Sequence, residues 1–345
     1  MTTQKNRTQA NHTPTMLAVV ESMSRAGRGV LLIELAPAVP GRCFPPFTAG
    51  AHIDLHLGPV VRQYSLCGDP TAADAMSRWW IAVKLDETGR GGSRIIHEQL
   101  RVGHTLEVTG PRNHFPMVDA PAAPAGAGRT VLAAMAATCA AAGRDHVLHI
   151  WAGTVDDLPL RTRLRETTGP DRAGGGTTVE HLGTDGDSLR TAGHLPEPYR
   201  PGDRVYICGP GGFIDRAVGL AAADGWPGDA VHVERFAPSR PRAADGTAFE
   251  VRLASSGATF PVAAEQSIAE VLTDNGVDIE LSCEAGMCGA CLTGVVDGVP
   301  DHRDDVQSPA EHAANTRITL CCSRSLTPTL TLARWSRAPW KSASF

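Results

Sequence analysis

The sequence predicts a multidomain fold in three parts: an antiparallel β-barrel, a doubly wound α/β domain and a small α+β domain. Short apolar strands recur between proline and glycine turns from Met16 to about Arg112. Strands and helices then alternate from His114 to Phe236, and a cysteine-rich loop lies beyond Phe249. A length of 345 residues is enough for two or three domains, each with its own core.

Composition and charge argue against some classes of binding partner and indicate the cellular compartment. The formal net charge is −5 and the pI is near 6.2, which argues against binding to nucleic acid or to an anionic membrane surface. No apolar run approaches the length of a membrane span, and the residues from Met1 to Thr15 lack the apolar core of a signal peptide. We therefore expect a cytoplasmic protein.

The first part is predicted to be a closed antiparallel barrel, because its strands are short and evenly spaced between turns. One helix is expected at Gly92–Leu100. The predicted strands are Met16–Glu21, Gly29–Leu35, His52–Leu57, Val60–Leu66, Trp79–Lys84 and Thr105–Thr109.

Two segments of this barrel suggest a phosphate site. Arg62-Gln63-Tyr64-Ser65 ends a strand and supplies a cation and two hydroxyls, while Gly91-Gly92-Ser93 opens a helix whose free N–H groups attract anions. Taken singly, Arg62 would be a surface ion-pair residue and Tyr64 a half-buried strand aromatic. Together, and upstream of the cysteine-rich loop, the two segments favour a flavin.

The second part is predicted to be a doubly wound parallel sheet. Its glycine cluster, Cys208-Gly209-Pro210, lies where a strand ends and a helix begins, which is where such sheets bind ligands. The alternative is a tight turn with a buried cysteine, but the later stretch Val233–Phe236 favours a nucleotide site. The predicted helices are Val131–Ala142, Leu158–Glu166 and Gly212–Asp224, and the strands are His146–Ala152, Thr177–Leu182 and Asp203–Cys208.

A polar, proline-containing linker, Ala237–Gly246, precedes the third part. Strands are expected at Phe249–Leu253 and Thr259–Val262, followed by a helix at Ser267–Asn275. Ser267 and Glu270 have the spacing of a capping box at the start of that helix.

The cysteine loop has the ligand spacing of a plant-type [2Fe–2S] cluster. Four residues separate Cys283 from Cys288, two separate Cys288 from Cys291, and twenty-nine precede Cys321. A zinc site would require paired knuckles, and a disulfide framework would require an oxidising compartment. The twenty-nine-residue gap selects Cys321 as the fourth ligand and leaves the adjacent Cys322 as a packing residue.

The order of these motifs resembles the phthalate dioxygenase reductase and vanillate O-demethylase reductase family. The resemblance extends from Met16 to about Leu332 and includes Gly50–Ile53, Pro111–Pro116 and Pro300–Asp304. It implies an FMN-binding β-barrel at 16–113, an NAD-binding α/β domain at 114–236, a linker at 237–246 and a β-grasp ferredoxin domain at 247–333. It also implies an NADH-dependent reductase that passes electrons through FMN and the cluster to a separate Rieske-type or haem-dependent oxygenase.

The resemblance carries the family's roles onto particular residues. Cys208 and Phe236 are expected beside the reacting nicotinamide and flavin rings, and Cys283, Cys288, Cys291 and Cys321 at the cluster. The expected FMN contacts are Arg62, Gln63, Tyr64, Ser65, Val83, Lys84, Gly91, Gly92 and Ser93. The expected NADH contacts are Gly126, Gly128, Thr130, Cys208, Gly209, Pro210 and Phe236.

The turn at Gly126–Val131 departs from the family pattern, because Val131 replaces the usual proline and the preceding Ala120–Ala125 contains two prolines. A second hypothesis is therefore a carrier that keeps flavin and cluster but is reduced by another protein. A redox sensor is a third hypothesis, disfavoured because no effector domain is present. Asp156 and Asp157 favour NADH over NADPH, because they would repel a 2′-phosphate.

Overall fold

A computed structural model describes residues 15–58, 60–87, 89, 91–118, 131–168, 176–236 and 246–333. Within these ranges, no helix has both the length and the apolar character needed to cross a bilayer. The segment Ala120–Ala125 and the predicted nucleotide contacts Gly126, Gly128 and Thr130 lie outside the described residues.

The first part consists of β1 (Thr15–Arg25), β2 (Val30–Pro37), β3 (His52–Leu57), β4 (Val60–Ser65), β5 (Trp79–Lys84), α1 (Gly92–Glu98) and β6 (Thr105–Arg112). Its strands form a six-stranded antiparallel sheet with the order β4-β3-β6-β1-β2-β5. The edges of the sheet meet at one bridge between Leu66 and Ile81, where the Cys67 N–H also donates to the Trp80 carbonyl at 2.9 Å, so the predicted barrel closes through a short bridge and not a full ladder. Buried Ile33, Leu55 and Trp79 are among the side chains that fill its interior.

The second part contains parallel strand pairs, as the alternating pattern predicted. The elements are α2 (Val131–Ala141), β7 (His146–Ala152), α3 (Arg161–Thr168), β8 (Gly176–Leu182), β9 (Val205–Gly209), α4 (Gly211–Ala223) and β10 (Val231–Arg235). β7 pairs with β8 and β9 pairs with β10, while α2 is buried on nearly every side.

The helix predicted at Leu158 begins three residues later, at Arg161. Val155–Asp157 instead form a 3₁₀ turn, in which the Asp157 carboxylate accepts hydrogen bonds from the N–H and hydroxyl of Thr154 at 3.0 and 2.8 Å. Leu160 then has φ 58°, a left-handed conformation that cannot continue a right-handed helix. The predicted start of β9 at Asp203 is also wrong by two residues, because pairing with β10 begins at Val205.

The third part consists of β11 (Phe249–Leu253), β12 (Thr259–Val262), α5 (Ile268–Asp274), β13 (Leu292–Asp297), β14 (Pro300–Asp301), α6 (Pro309–Ala314), β15 (Arg317–Thr319), β16 (Arg324–Ser325) and β17 (Thr329–Leu332). Five of its strands form a mixed sheet with the order β12-β11-β17-β13-β15, in which β11 and β17 are parallel. The capping box of α5 forms as predicted: Ser267 Oγ accepts from the Glu270 N–H at 3.1 Å, and Glu270 accepts from the Ser267 N–H at 2.8 Å.

Arg112, the last residue of β6, connects the barrel to the third part. Its guanidinium pairs with the buried carboxylate of Asp54 on β3 and donates to Glu280 at 2.7 Å. Only 12% of the Arg112 side chain is exposed, so water screens this ion pair poorly. The contact holds the barrel and the cysteine-containing part beside one another.

Candidate functional site

The principal cleft of the described structure lies where the three parts meet. It encloses about 880 Å³, open mouth included. Side chains from all three parts line it: His52, Val61, Arg62, Gln63 and Ser65 from the barrel, His114, Phe115, Val233, Glu234, Arg235 and Phe236 from the second part, and Cys283, Met287, Asp305 and Val306 from the third.

On the barrel side, the strand motif and the glycine turn are brought together. A Cβ added at Gly92 would lie 2.3 Å from Arg62 Cγ, so the arginine stem crosses a position that only glycine leaves open. Gly91 precedes α1 with φ 85°. The Ser93 hydroxyl accepts a hydrogen bond from the Asp86 N–H at 3.0 Å and thereby ties this turn to the end of β5.

Six of the nine residues predicted to contact the flavin do not line the cleft: Tyr64, Val83, Lys84, Gly91, Gly92 and Ser93. Tyr64 packs against the barrel core, where burial raises its pKa to about 12. Val83 is fully buried in the same core and Lys84 is exposed at the end of β5. Of the strand motif, Arg62, Gln63 and Ser65 contribute to the wall of the cleft.

On the nucleotide side, Cys208 and Glu234 are neighbours in register on β9 and β10. Burial raises the pKa of Cys208 well above 9.0 and that of Glu234 from 4.5 to about 8, so both groups favour their neutral forms. Glu234 lines the cleft and Cys208 is completely buried beside it. The sequence motif included Glu234 but assigned it no role, although an acidic residue between the apolar positions of a parallel strand is unusual.

The remaining nucleotide-side residues lie at the carboxyl ends of the same two strands. Gly209 ends β9 and Pro210 caps α4, whereas Phe236 follows β10 at the cleft with half of its surface exposed. Arg235 pairs with Asp215 on α4 at 2.6 Å and lies 3.9 Å from Asp305 of the third part. This arginine therefore links the nucleotide side to the cysteine loop.

The cysteine loop brings the four predicted ligands together in a buried position. Hydrogen bonds from the thiols of Cys288 and Cys321 hold the pKa of Cys283 far below 9.0, and Cys321 also interacts with Cys291. The Ala285 and Met287 N–H groups point at Cys283 Sγ at 3.4 and 3.3 Å. Converging sulfurs surrounded by backbone donors fit a [2Fe–2S] cluster, whose sulfurs require such donors.

Cys322 lies beside this group, where its side chain hydrogen-bonds with that of Cys321. Its sulfur lies 3.3 Å from Thr319 Oγ1, and a Cβ at Gly286 would approach it to 2.6 Å. The packing role predicted for Cys322 is therefore compatible with its surroundings, and Cys321 as fourth ligand stays a prediction.

Two histidines to which the sequence analysis gave no role, His52 and His114, connect the cleft to the loop. His52 lines the cleft, and its pKa falls to about 4 through burial and the nearby Arg112 charge. A Cβ at Gly289, between Cys288 and Cys291, would lie 3.0 Å from the His114 ring, so the loop and the cleft are in direct contact. Both histidines are distant from the cysteines in sequence, although each lies in a stretch that contributes to the family resemblance, Gly50–Ile53 or Pro111–Pro116.

The comparisons with known proteins agree with this geometry. Residues 251–326 match the 2Fe-2S iron-sulfur cluster binding domain family. Vanillate O-demethylase oxidoreductase of Pseudomonas sp. (strain HR199 / DSM 7063) is 36% identical over 91% of this chain and 98% of its own. The solved structure of phthalate dioxygenase reductase, described as transferring electrons from pyridine nucleotides to [2Fe–2S], is 32% identical, with a TM-score of 0.63 over 93% of this chain and 98% of that one.

An intact type IV self-sufficient cytochrome P450 monooxygenase is also similar, with 36% identity and a TM-score of 0.80 over 92% of this chain. This chain spans only 41% of that longer protein. Match over nearly the full length of the two reductases, together with a shared three-part architecture, establishes the relationship. The chain belongs to the phthalate dioxygenase reductase and vanillate O-demethylase oxidoreductase family, the oxygenase reductases that carry electrons from NAD(P)H through a flavin to a [2Fe–2S] cluster.

Proposed function

We propose that this chain oxidises NADH with FMN as its flavin and delivers single electrons through its cluster to a terminal oxygenase. The observation that carries the proposal is the shared cleft, where Arg62, Phe236 and the cluster cysteine Cys283 line one cavity. Flavin accepts a hydride as an electron pair and can release single electrons, which is what a one-electron cluster requires. The proposed units are 16–113 for FMN, 114–236 for NADH and 247–333 for the cluster, joined by 237–246.

The residues at the cleft would have separate roles in binding the two cofactors. Arg62, together with the turn at Gly91, Gly92 and Ser93, would bind the FMN phosphate, and Phe236 would come close to the flavin ring. Glu234, mostly neutral at pH 7, can donate a hydrogen bond without adding a charge near the reacting ring. Cys208 supports this group from the core of the sheet.

The experiment is anaerobic stopped-flow mixing of the purified protein with NADH. We expect rapid bleaching of the flavin followed by reduction of the cluster. Cys288→Ser should lose the cluster and the second phase while keeping the first. Absence of flavin reduction by NADH would contradict the proposal and favour reduction by another protein.

FMN is proposed in preference to FAD because Arg62 and the glycine turn supply one phosphate site beside the barrel. Mass spectrometry of the released flavin distinguishes the two cofactors. Arg62→Ala should weaken flavin binding by about 1.5–3 kcal/mol, the usual contribution of a charged hydrogen bond. Retention of FMN through dilution and filtration by this variant would count against the phosphate role.

NADH is proposed in preference to NADPH. Asp156 and Asp157 follow β7, and Arg28 lies 3.9 and 3.5 Å from their carboxylates, so one positive and two negative charges leave a net negative surface. A 2′-phosphate would be repelled there. Steady-state comparison of the two nucleotides tests this, and equal efficiency would refute it.

The proposed electron acceptor is a Rieske-type or haem-dependent oxygenase. Vanillate O-demethylase oxidoreductase and the self-sufficient P450 support these two alternatives, because their names connect this architecture to a demethylase and to a haem protein. Measuring cluster oxidation after mixing with an oxygenase of each kind distinguishes them. Oxidation by neither would contradict the assignment.

A further inference from the structure

Three side chains of the third part form a compact group behind the cysteine loop. His302 and Asp304 lie between β14 and α6, and His312 is on α6. The Asp304 side chain is fully buried, with His312 Nε2 3.3 Å from Oδ2 and His302 Nδ1 3.8 Å from Oδ1. The two imidazole rings stack with centroids 4.4 Å apart. One ligand atom from each residue lies within 4.8 Å of the others.

The hydrogen-bond pattern leaves the nitrogens that face Asp304 without partners. His302 Nε2 lies 3.2 Å from Asn315 Oδ1, and because that carboxamide oxygen is an acceptor, the nitrogen donates and carries the proton. The neutral ring then has its lone pair on Nδ1. That atom and His312 Nε2 are both buried with no hydrogen-bond partner. The lone pair of His302 Nδ1 is repelled by the carboxylate that it faces unless a cation lies between them.

The Asp304 carboxylate is held in place for this contact. The Gln307 N–H donates to Oδ2 at 2.9 Å, and Thr319 Oγ1 donates to Oδ1 at 3.2 Å. A buried carboxylate needs a neighbouring positive charge, because a charge in a low-dielectric interior is costly. Among the described residues, its ion-pair neighbours are the two histidines.

We propose that His302, Asp304 and His312 bind one divalent transition-metal ion, with an open position left for water. Two imidazole nitrogens and one carboxylate oxygen are a donor set typical of Zn²⁺ and similar dications. Asn315 would orient His302 by accepting the proton of its second nitrogen, as outer hydrogen-bond partners of metal-bound histidines do. His312 keeps 28% of its side chain exposed, which gives the ion a route from solvent.

The site would brace the loop that holds the iron–sulfur cluster. The Asp305 N–H donates to the Gly286 carbonyl at 3.0 Å, and Thr319 connects Asp304 to the segment that ends in Cys321. A metal on Asp304 therefore stabilises the loop between Cys283 and Cys288 from behind. We expect the bound ion to slow iron loss on heating.

Equilibrium dialysis of the tag-free, cluster-containing protein against Zn²⁺, with zinc and iron counted together, tests the proposal. We expect about one zinc ion per chain at unchanged iron content. His312→Gln should abolish zinc uptake, with its visible spectrum and iron count showing that the protein is folded. His194→Gln, which removes an exposed histidine elsewhere, should bind zinc as the unaltered protein does.

A milder variant tests the orientation of His302. Asn315 has φ 52°, a conformation that glycine adopts freely, so Asn315→Gly removes the acceptor without straining the backbone. Its zinc affinity should fall by about 10–100-fold. The proposal is overturned by no zinc uptake, by equal uptake in His312→Gln, by unchanged affinity in Asn315→Gly, or by zinc gained at the expense of iron.

Discussion

Cys321 and Cys322 show how a single peptide step separates two side chains of the same type. Cys321 is buried and interacts with Cys283 and Cys291, whereas Cys322 interacts with Cys321 and with Thr319. We expect Cys322→Ser to keep about two irons per chain and Cys321→Ser to lose them, because only the latter removes a thiolate from the cluster. Iron analysis and the visible spectrum provide the measurement. The reverse result would show that the chain uses Cys322 as its ligand.

Glu234 should make stability depend on pH in the direction opposite to most carboxylates. Burial raises its folded-state pKa from 4.5 to about 8, so the folded state holds a proton that the unfolded state releases. Its contribution is complete below pH 4.5 and is lost as the pH rises through about 8. Between these values the melting midpoint should therefore fall with rising pH, by roughly 2–4 °C for each kcal/mol lost.

Glu234→Gln keeps the shape of this side chain and removes its titration. The variant should lack the decline between about pH 5 and about pH 8.5, whereas Glu250→Gln, an exposed change on β11, should keep it. Thermal melts of the three proteins across this range provide the comparison. Parallel curves for the unaltered protein and Glu234→Gln would mean that Glu234 is already ionised in the folded protein.

At the scale of elements, two helices begin with the same capping box and differ in what they bury. Ser267 caps α5, which buries Ile268 and Leu272, while Ser308 caps α6, which buries none of its own residues. Ser267→Ala should cost about 0.5–2 kcal/mol, because fraying of α5 uncovers core side chains. Ser308→Ala should cost less. Denaturant unfolding of both variants tests this, and an equal or larger cost for Ser308→Ala would contradict it.

The sequence predicted the bounds of the strands more accurately than those of the helices. β3, β5 and β7 have their predicted bounds because each is a short strand-forming run that is bounded by turn or polar residues. The start of α3 was wrong because acidic residues can cap a 3₁₀ turn as well as an α-helix. α6 was not predicted, although Ser308, Pro309 and Glu311 are a readable start signal.

At the scale of the whole molecule, Arg112 should affect transfer between domains more than chemistry within one. Arg112→Met leaves Asp54 buried without its cation and removes the bond to Glu280, at a cost of about 3–5 kcal/mol. We expect flavin reduction by NADH to be unchanged and cluster reduction to slow, because the cluster domain is held less firmly. Stopped-flow absorbance resolves the two phases.

Arg101→Met is the matched control for this change. Arg101 lies on the same barrel and donates to the carbonyls of Leu100 and Glu98, within its own segment. Its cluster phase should equal that of the unaltered protein. If Arg112→Met also leaves the cluster phase unaltered, the ion pair does not control the distance between flavin and cluster.

The sequence by itself determined the three-part order, most strands, the capping box at Ser267 and the cysteine loop from Cys283 to Cys291, because each depends on residues close together in the chain. Only the tertiary structure decided which distant groups share the cleft. His52, Glu234 and Asp305 come from three separate parts, and Arg112 reaches a carboxylate 168 residues away. Such contacts follow from how folded domains dock, and docking depends on whole surfaces that no local pattern encodes.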